Sequence, residues 1–422
     1  MTTITFADVV HPSLSFSLEN EAHVLILKLV DCAWVQRLRD ISQTANTRLV
    51  YMFSEHSRFG HCLGVAYLAG MLMDKLEASD PLSVQKYRNA VSAAALLHDI
   101  GHLAPGSHTA YKTWFPNVPD RHEQLAERII REDKEISSIL KGQGEDFIDT
   151  VCAILSESPS VPAWTWEIIS GGGWNVDRGN WCIVDSVMGG VSYGKYNIPA
   201  LTESIVITLD GHLALRENRL DAMMHFAVSR HAMYRQMYQH RVLLAADTLN
   251  RAVVQRARDL HDDLPFCDET MRIVLDAKSP EHFSLETIFT MRESWWRYHL
   301  FRWSSGKDSI LADLSSRLLN RVLFKTVRIM EPSEAKGLLS EAQAAVTKCG
   351  YDPKYYLHEI STLDMNAGDT DQSMLVLMDN GAVKQLTDAE PLFNSMMKES
   401  KTAKKSWLTM PKEAKALLGR IR

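Results

Sequence analysis

Residues 94–109 read AALLHDIGHLAPGSHT, and the doublet His98-Asp99 closes the most apolar helical run of the chain. A buried helix has little reason to carry an imidazole beside a carboxylate unless the two are paired or bind a metal. Neighbouring residues on a helix point about 100° apart, so both reach one ion only where the helix ends, and Gly101 supplies such an end. The stretch predicts a helix over 84–100 that presents a metal-binding pair. A capped helix end with a salt-bridged aspartate is the alternative.

The composition is that of an ordinary globular protein. Of the 422 residues, 45% are hydrophobic and 23% are charged, which is typical usage and enough chain to bury a large core. The formal net charge of −6 provides no broad attraction to nucleic acid or anionic membranes. Nucleic acid is therefore not expected as a partner, and a phosphate-binding site has to be a local cluster of basic residues.

The cysteines and the hydropathy pattern indicate a reducing compartment and no membrane anchor. The six cysteines lie far apart without a C-x-x-C pair, which argues against a disulfide framework and against a zinc knuckle. The N-terminal residues MTTITFADVV do not resemble a signal peptide, and no stretch has 18 uninterrupted apolar residues. We expect a cytoplasmic protein.

Hydrophobic periodicity predicts a mainly α fold with small β-hairpins. Helices are expected at about 21–41, 59–76, 84–100, 122–132, 145–156, 178–188 and 219–258. Prolines and glycines predict a loop over 105–119. Apolar strands flank Asp210-Gly211 and Asn380-Gly381, which are strong signals for hairpin turns.

The proposed metal ligands are two histidines and two aspartates. His61 lies in the segment HSRFGHCLGVAYLAG at 56–70, and Asp177 opens a later helix. A divalent cation that binds phosphate takes imidazole and carboxylate ligands and keeps other positions open. Ligands from separate helices can close such a site in the core of a bundle. The sequence predicts that these two residues meet His98 and Asp99 around one ion.

The motifs that contain these residues resemble the HD-domain superfamily over about residues 20–245, with the deoxynucleoside triphosphate triphosphohydrolases as the nearest match. The matching motifs are Arg58-Phe59-Gly60-His61, His98-Asp99-Ile100-Gly101-His102, His108, His122-Glu123, Asp177-Arg178 and Asp185. The resemblance implies an HD helical bundle in a catalytic domain over 1–300 and a C-terminal α+β lobe over 301–422. It also implies that His61, His98, Asp99 and Asp177 hold iron, manganese, magnesium, cobalt, nickel or zinc.

The same resemblance implies a set of proton-transfer residues. His102, His122 and Glu123 are expected to assist catalysis, and His108 is expected to face the α-phosphate and protonate the leaving group. Histidine suits these roles because its pKa lies near neutrality. For each histidine alone, a loop residue with one backbone hydrogen bond is the alternative.

Substrate binding is expected to combine arginines with aromatic and polar groups. A triphosphate needs several cations, and an arginine fork matches phosphate oxygens. The candidates are Arg58, Arg178 and Arg230. By the resemblance, Gln43 and Asp185 contact the sugar, Tyr234 and Tyr238 line it, Gln239 contacts the base, and Trp181 stands where the family has tyrosine. A tyrosine stripe at helical spacing is more often part of a core.

A regulatory site is a further implication of the resemblance. The motif D-x-x-x-x-Q-R-L-R is retained by Asp31, Gln36 and Arg39, which indicates a nucleotide activator and assembly into dimers or tetramers. The alternative is a solvated face of an amphipathic helix.

The predicted reaction is attack of a metal-activated water on a phosphorus atom. The resemblance to the triphosphohydrolases implies that this atom is the α-phosphorus of a deoxynucleoside triphosphate and that the products are deoxynucleoside and inorganic triphosphate. Other HD phosphohydrolase substrates remain open: a nucleoside monophosphate, a modified or antibiotic nucleotide, or (p)ppGpp. A cyclic-nucleotide or nucleic-acid phosphodiesterase and a non-catalytic nucleotide sensor are further alternatives.

Overall fold

The computed structural model describes residues 2–106, 109–362, 374–402 and 405–419, and its architecture is mainly helical, as predicted. The α-helices of these residues are α1 (Glu21–Val30), α2 (Ala33–Arg37), α3 (Arg58–Leu76), α4 (Pro81–Leu97), α5 (Thr109–Trp114), α6 (His122–Glu132), α7 (Lys134–Lys141), α8 (Phe147–Leu155), α9 (Ala163–Glu167), α10 (Val176–Met188), α11 (Ile198–Thr202), α12 (Leu220–Met233), α13 (Arg241–Leu260), α14 (Glu269–Asp276), α15 (Leu285–Thr290), α16 (Glu293–Ser304), α17 (Ser309–Leu319), α18 (Ala335–Lys348), α19 (Pro353–Tyr356), α20 (Leu386–Ala389), α21 (Pro391–Thr402) and α22 (Lys412–Leu417).

Nine short strands lie within the described ranges. They are β1 (Thr3–Phe6), β2 (Leu14–Ser17), β3 (Ile205–Ile207), β4 (Leu213–Arg216), β5 (Lys325–Ile329), β6 (His358–Ser361), β7 (Leu375–Leu377), β8 (Val383–Gln385) and β9 (Ser406–Met410). They form a β1-β2 hairpin, a sheet of order β3-β4-β7-β8 and a sheet of order β5-β9-β6.

Helices α3 and α4 pack against each other, and α1, α8 and α10 surround them. Helix α4 starts where the Asp80 side chain accepts a hydrogen bond from Ser83 N, with Pro81 in the first turn. Its second half, from Ala90 to Leu97, is buried all around, which is typical of a central helix. None of the described helices is long and apolar enough to cross a bilayer.

The end of α4 differs from the prediction. The helix stops at Leu97, and His98 to Gly101 form a turn in which His102 N donates to Asp99 O. Gly101 does not act as a helix cap. A Cβ atom there would lie 2.1 Å from His122 O, so the glycine lets the start of α6 approach this turn.

Two of the predicted long helices are broken. The helix predicted over 21–41 ends at Val30 and restarts after Cys32, whose backbone is extended, and Gln36 Nε2 donates to the Val30 carbonyl at 2.7 Å. The helix predicted over 219–258 consists of α12, a π-helix at Tyr234–Tyr238 and α13. Single π turns are frequent at functional sites. The predicted loop over 105–119 also contains α5.

Both predicted hairpins are confirmed and belong to one sheet. Strands β3 and β4 are antiparallel around Gly211, β7 and β8 are antiparallel around Gly381, and β4 pairs in parallel with β7 at Leu215 and Val376. The boundary near residue 300 stays a prediction. Helix α16 runs through it, and the shared sheet joins strands from both sides of it.

Candidate active site

The predicted metal ligands converge from three helices. His61 lies in the first turn of α3, His98 caps α4, Asp99 follows it, and Asp177 lies in the first turn of α10. The Nε2 atoms of His61 and His98 are 3.0 and 3.6 Å from Asp177 Oδ1. Asp99 Oδ2 lies 3.7 Å from His61 Nε2, and Asp99 Oδ1 lies 3.5 Å from His98 Nε2. These distances suit His61, His98 and Asp177 as ligands of one cation, with Asp99 beside them.

The hydrogen bonds of the two histidines orient them as ligands. His61 Nδ1 donates to Asn180 Oδ1 at 2.9 Å, and His98 Nδ1 donates to the Ala95 carbonyl at 2.9 Å. The proton is therefore on Nδ1, and the buried Nε2 lone pairs face carboxylate oxygens without a well-formed hydrogen bond. A nitrogen lone pair that faces a carboxylate oxygen is repelled by it unless a cation lies between the two atoms. The cluster thus fits a divalent cation.

Asp99 has two further partners. Arg58, at the start of α3, forms a buried ion pair with it through Nη1, and His102 Nε2 lies 3.1 Å from Asp99 Oδ1. Burial opposes ionisation, but the charge of the Arg58 guanidinium holds the pKa of Asp99 well below its usual range. The carboxylate is therefore ionised, as a metal ligand requires.

His102 and His122 stack face to face, with ring centroids 3.8 Å apart. His122 Nδ1 lies 3.0 Å from Asp120 Oδ1, and Nε2 lies 3.4 Å from Glu123 Oε1. Burial disfavours the imidazolium, but these two carboxylates outweigh it and raise the pKa of His122 to about 9. Burial, Arg58 and His122 hold the pKa of His102 well below its usual range. The stack therefore pairs a protonated ring with a neutral one.

The metal-ligand cluster opens into a cavity of about 610 Å³. Its lining includes these residues from the sequence-based site: Gln43, Arg58, His98, Asp99, His102, His122, Glu123, Asp177, Arg178, Trp181, Asp185, Tyr234 and Tyr238. His61 is buried behind this surface, at 1% exposure. His108 lies outside the described residues. The structure thus places most of the predicted site in one cavity, and the individual roles remain predictions.

The predicted sugar-binding residues form a connected group. Asp185 accepts hydrogen bonds from His56 Nε2 at 2.7 Å and from Tyr238 OH at 2.5 Å. The rings of Trp181, Tyr234 and Tyr238 meet edge to face, with centroids 5.3 to 6.1 Å apart. The group presents one carboxylate and an aromatic surface to the cavity.

Two predicted substrate residues are not part of the cavity lining. Arg230 is buried, with its guanidinium 5.2 Å from the centroid of the Tyr234 ring. Gln239 ends the π turn, and its Nε2 donates to the carbonyl of Thr362 at 3.4 Å. Their side chains can therefore affect the cavity only through neighbouring residues.

The candidate regulatory residues lie around α2. Arg39 donates to Gln36 Oε1 at 2.8 Å, and its guanidinium lies 3.6 Å from the centroid of the Phe59 ring. Asp31 is exposed at the end of α1. The motif is not simply a solvated face, because its Arg37 is 1% exposed.

Sequence reasoning missed several partners in the site. His56, Asp120 and Asn180 hold predicted site residues, and Asn46 and Asp247 line the cavity. The sequence contains a weak signal for Asn180, which lies one helical turn after Asp177. It contains a similar signal for Asp120, which precedes His122 by two positions. The remaining contacts join distant segments that no spacing indicates.

Part of this cluster lies in a segment that matches a known family. Residues 58–160, which include His61, His98 and Asp99, match the HD domain family. This part of the chain is an HD domain. The resemblance of the motifs to HD domains is therefore confirmed over residues 58–160.

Relatives match well beyond this domain. The uncharacterized protein YwfO of Bacillus subtilis is 28% identical over 408 residues, which are 92% of this chain and 89% of YwfO. The deoxynucleoside triphosphate triphosphohydrolase SAMHD1 of Gallus gallus is 27% identical over 271 residues, which are 56% of this chain and 42% of SAMHD1. The crystal structure of a phosphohydrolase from Bacteroides thetaiotaomicron has a TM-score of 0.80 at 21% identity, over 97% of this chain and 100% of that chain. This last similarity shows a shared fold.

Proposed function

We propose that this protein is a metal-dependent phosphohydrolase that converts deoxynucleoside triphosphates into deoxynucleoside and inorganic triphosphate. The observation that carries the proposal is the convergence of His61, His98, Asp99 and Asp177 beside a cavity large enough for a nucleotide. The similarity to SAMHD1, whose name states this reaction, supports the substrate class.

The residues around the metal-ligand cluster suit hydrolysis of a phosphate ester. A bound divalent cation supplies Lewis-acid chemistry, because it neutralises phosphate charge and lowers the pKa of water. Arg58 and Arg178 line the cavity with guanidinium groups that can bind phosphate oxygens. Protonated His122 holds a proton for the leaving oxygen, and Asp120 and Glu123 stabilise its charge.

The group around Asp185 suits a deoxyribose. Tyr238 and His56 fix the carboxylate of Asp185, which can accept a hydrogen bond from a sugar hydroxyl. The edge-to-face rings of Trp181 and Tyr234 continue this surface and provide apolar contact for a sugar that lacks one hydroxyl. We assign sugar recognition to these residues.

Assembly, regulation and location extend the proposal. We assign a nucleotide activator to the surface at Asp31, Gln36 and Arg39, assembly into dimers or tetramers to the lobe over 301–422, and a cytoplasmic location to the protein. Native mass spectrometry with and without each nucleotide tests the first two. A mass that stays monomeric under all conditions contradicts the assembly, and masses without any bound nucleotide contradict the activator.

Product analysis tests the reaction itself. The protein is incubated with each of the four deoxynucleoside triphosphates in the presence of iron, manganese, magnesium, cobalt, nickel or zinc. We expect deoxynucleoside and tripolyphosphate as products. His98→Ala should lose both the metal and turnover, whereas the matched variant His282→Ala, at an exposed position, should retain both.

Other products contradict the proposal and identify the alternative. Release of pyrophosphate or single phosphate from the same substrates indicates a different cleaved bond. Turnover of a nucleoside monophosphate, (p)ppGpp or a phosphodiester instead indicates another HD phosphohydrolase. Binding without turnover of any of these indicates a nucleotide sensor.

A further inference from the structure

A polar patch on the cavity wall belongs to none of the groups described above. Asp247 lies on α13 and lines the cavity with Leu243 of the same helix, Asn46 of the 3-10 helix Ala45–Leu49, and Lys112 of α5. No sequence motif pointed to these residues. A carboxylate in the wall of a cavity needs hydrogen-bond donors.

Among the described residues, one such donor reaches Asp247. Its Oδ1 accepts a hydrogen bond from Asn46 Nδ2 at 2.8 Å, and Asn46 is 9% exposed. No further donor to this carboxylate is found among the residues that the structure describes. A carboxylate can accept about four hydrogen bonds, so most of its capacity is left for a ligand.

The charged groups that affect the pKa of Asp247 are not those of the metal-ligand cluster. Burial raises the pKa of Asp247 to about 6, against the opposing effects of the Asn46 hydrogen bond and of Arg251 and Lys112. None of the cluster carboxylates contributes to this shift. Asp247 is therefore ionised at neutral pH, and its hydrogen-bond partner Asn46 is not one of the residues of the metal-ligand cluster.

We propose that Asp247, oriented by Asn46, reads the nucleobase of the substrate and favours guanine. The inference rests on the proposed function. Guanine carries an N1–H and an N2–H₂ group on one edge, and these two donors match the two oxygens of a carboxylate. Adenine and cytosine offer one amino group beside an acceptor nitrogen, and thymine offers one N–H between two carbonyl oxygens. Carboxylates therefore select bases by their amino groups.

The first experiment uses the wild-type protein. It compares kcat/KM for dGTP, dITP, dATP, dCTP and dTTP under the best metal condition. We expect dGTP to be the best substrate and dTTP the worst. We also expect dITP, which lacks only the 2-amino group, to be about tenfold poorer than dGTP, because a lost hydrogen bond leaves a charged acceptor unpaired. Equal values for dGTP, dITP and dTTP overturn the inference.

The second experiment uses Asp247→Asn, which keeps the shape and removes the charge. We expect kcat/KM for dGTP to fall about tenfold or more while that for dTTP stays within about threefold of wild type. The control is Asp262→Asn, the same exchange at an exposed position after α13, and it should keep the wild-type ranking. If Asp247→Asn does not fold, the dITP comparison decides.

The two proposals fail in different ways. If the wild type hydrolyses none of the deoxynucleoside triphosphates, the proposed function and this inference both fall. If it hydrolyses them and Asp247→Asn retains the wild-type base ranking and bound metal, only the inference about Asp247 falls.

Discussion

Asn180 Oδ1 lies 2.9 Å from His61 Nδ1, and this hydrogen bond joins α10 to α3 at the metal-ligand cluster. Asn180 follows Asp177 by one helical turn, so α10 supplies both a proposed anionic ligand and the acceptor that orients His61, a proposed neutral ligand. Such supporting hydrogen bonds set the tautomer and the direction of a histidine ligand. The approach depends on Gly64, because a Cβ atom there would lie 2.5 Å from Asn180 Nδ2.

Gly64→Ala should therefore weaken metal binding. The added methyl group displaces Asn180 and frees the ring of His61, and we expect metal affinity to fall about 10- to 100-fold. Competition with a chelator measures the affinity. Gly70→Ala is the matched control on the same helix, since a Cβ atom there has no neighbour within 4 Å. Equal affinities of the two variants would show that Asn180 does not position His61.

Asp120→Asn should change how stability depends on pH. The raised pKa of His122, about 9, means that its protonation stabilises the folded state. This contribution is complete below the unfolded pKa of about 6.5 and is lost as pH rises through the folded pKa. Without the Asp120 carboxylate the contribution is smaller. We therefore expect the free energy of unfolding to be higher for the wild type than for the variant. This difference should be largest at pH 6 to 7 and should become smaller above about pH 9.

Urea unfolding at several pH values measures this difference. Glu123→Gln serves as a comparison, because Glu123 lies farther from the ring, at 3.4 Å rather than 3.0 Å, and it should give a smaller effect of the same sign. A difference that is constant from pH 6 to 10 would contradict the role of Asp120.

Arg37→Met should strongly destabilise the protein. Arg37 is 1% exposed and donates to the carbonyls of His102, Ile288, Phe289 and Met291. Removal of these donors leaves buried carbonyl groups without partners, which costs about 3 kcal/mol or more in total. Chemical denaturation should show this loss. Arg39→Met, at an exposed position, should cost less than about 1 kcal/mol, and a similar loss for both variants would refute the argument.

Asp185→Asn should lower substrate affinity without loss of the metal. The Asp185 carboxylate accepts hydrogen bonds from His56 and Tyr238, one at each oxygen. An amide has only one oxygen, so it cannot accept both hydrogen bonds with this geometry. We expect KM for deoxynucleoside triphosphates to rise about tenfold or more. Tyr238→Phe, which keeps the ring, should have a smaller effect. An unchanged KM at full metal content would exclude sugar recognition by Asp185.

Local signals predicted most of the fold. Helices α3, α6, α8 and α10 lie where hydrophobic periodicity placed them, and the glycine turns identified both hairpins. The breaks at Cys32 and at the π turn were not predictable, because they depend on side-chain caps and on packing against other segments. Gln36, for example, binds the Val30 carbonyl at the first break, and no periodicity contains that information.

The sequence predicts those residues of the candidate site that lie in recognisable motifs. The proposed ligand residues and the histidines beside them could be selected from the sequence because they lie in short conspicuous segments. His56, Asn46 and Asp247 were missed because their contacts join residues 129 or 201 positions apart. Such pairs become visible only when the chain has folded, since each partner alone is an ordinary polar residue.

The parallel pairing of β4 with β7 limits how this chain can be divided. A fragment that ends near residue 300 would keep Leu215 but lose Val376 beside it. Its β4 would then become a free, largely apolar edge, and such edges recruit other strands. Attempts to isolate residues 1–300 should therefore yield aggregates unless the residues of β7 and β8 are retained.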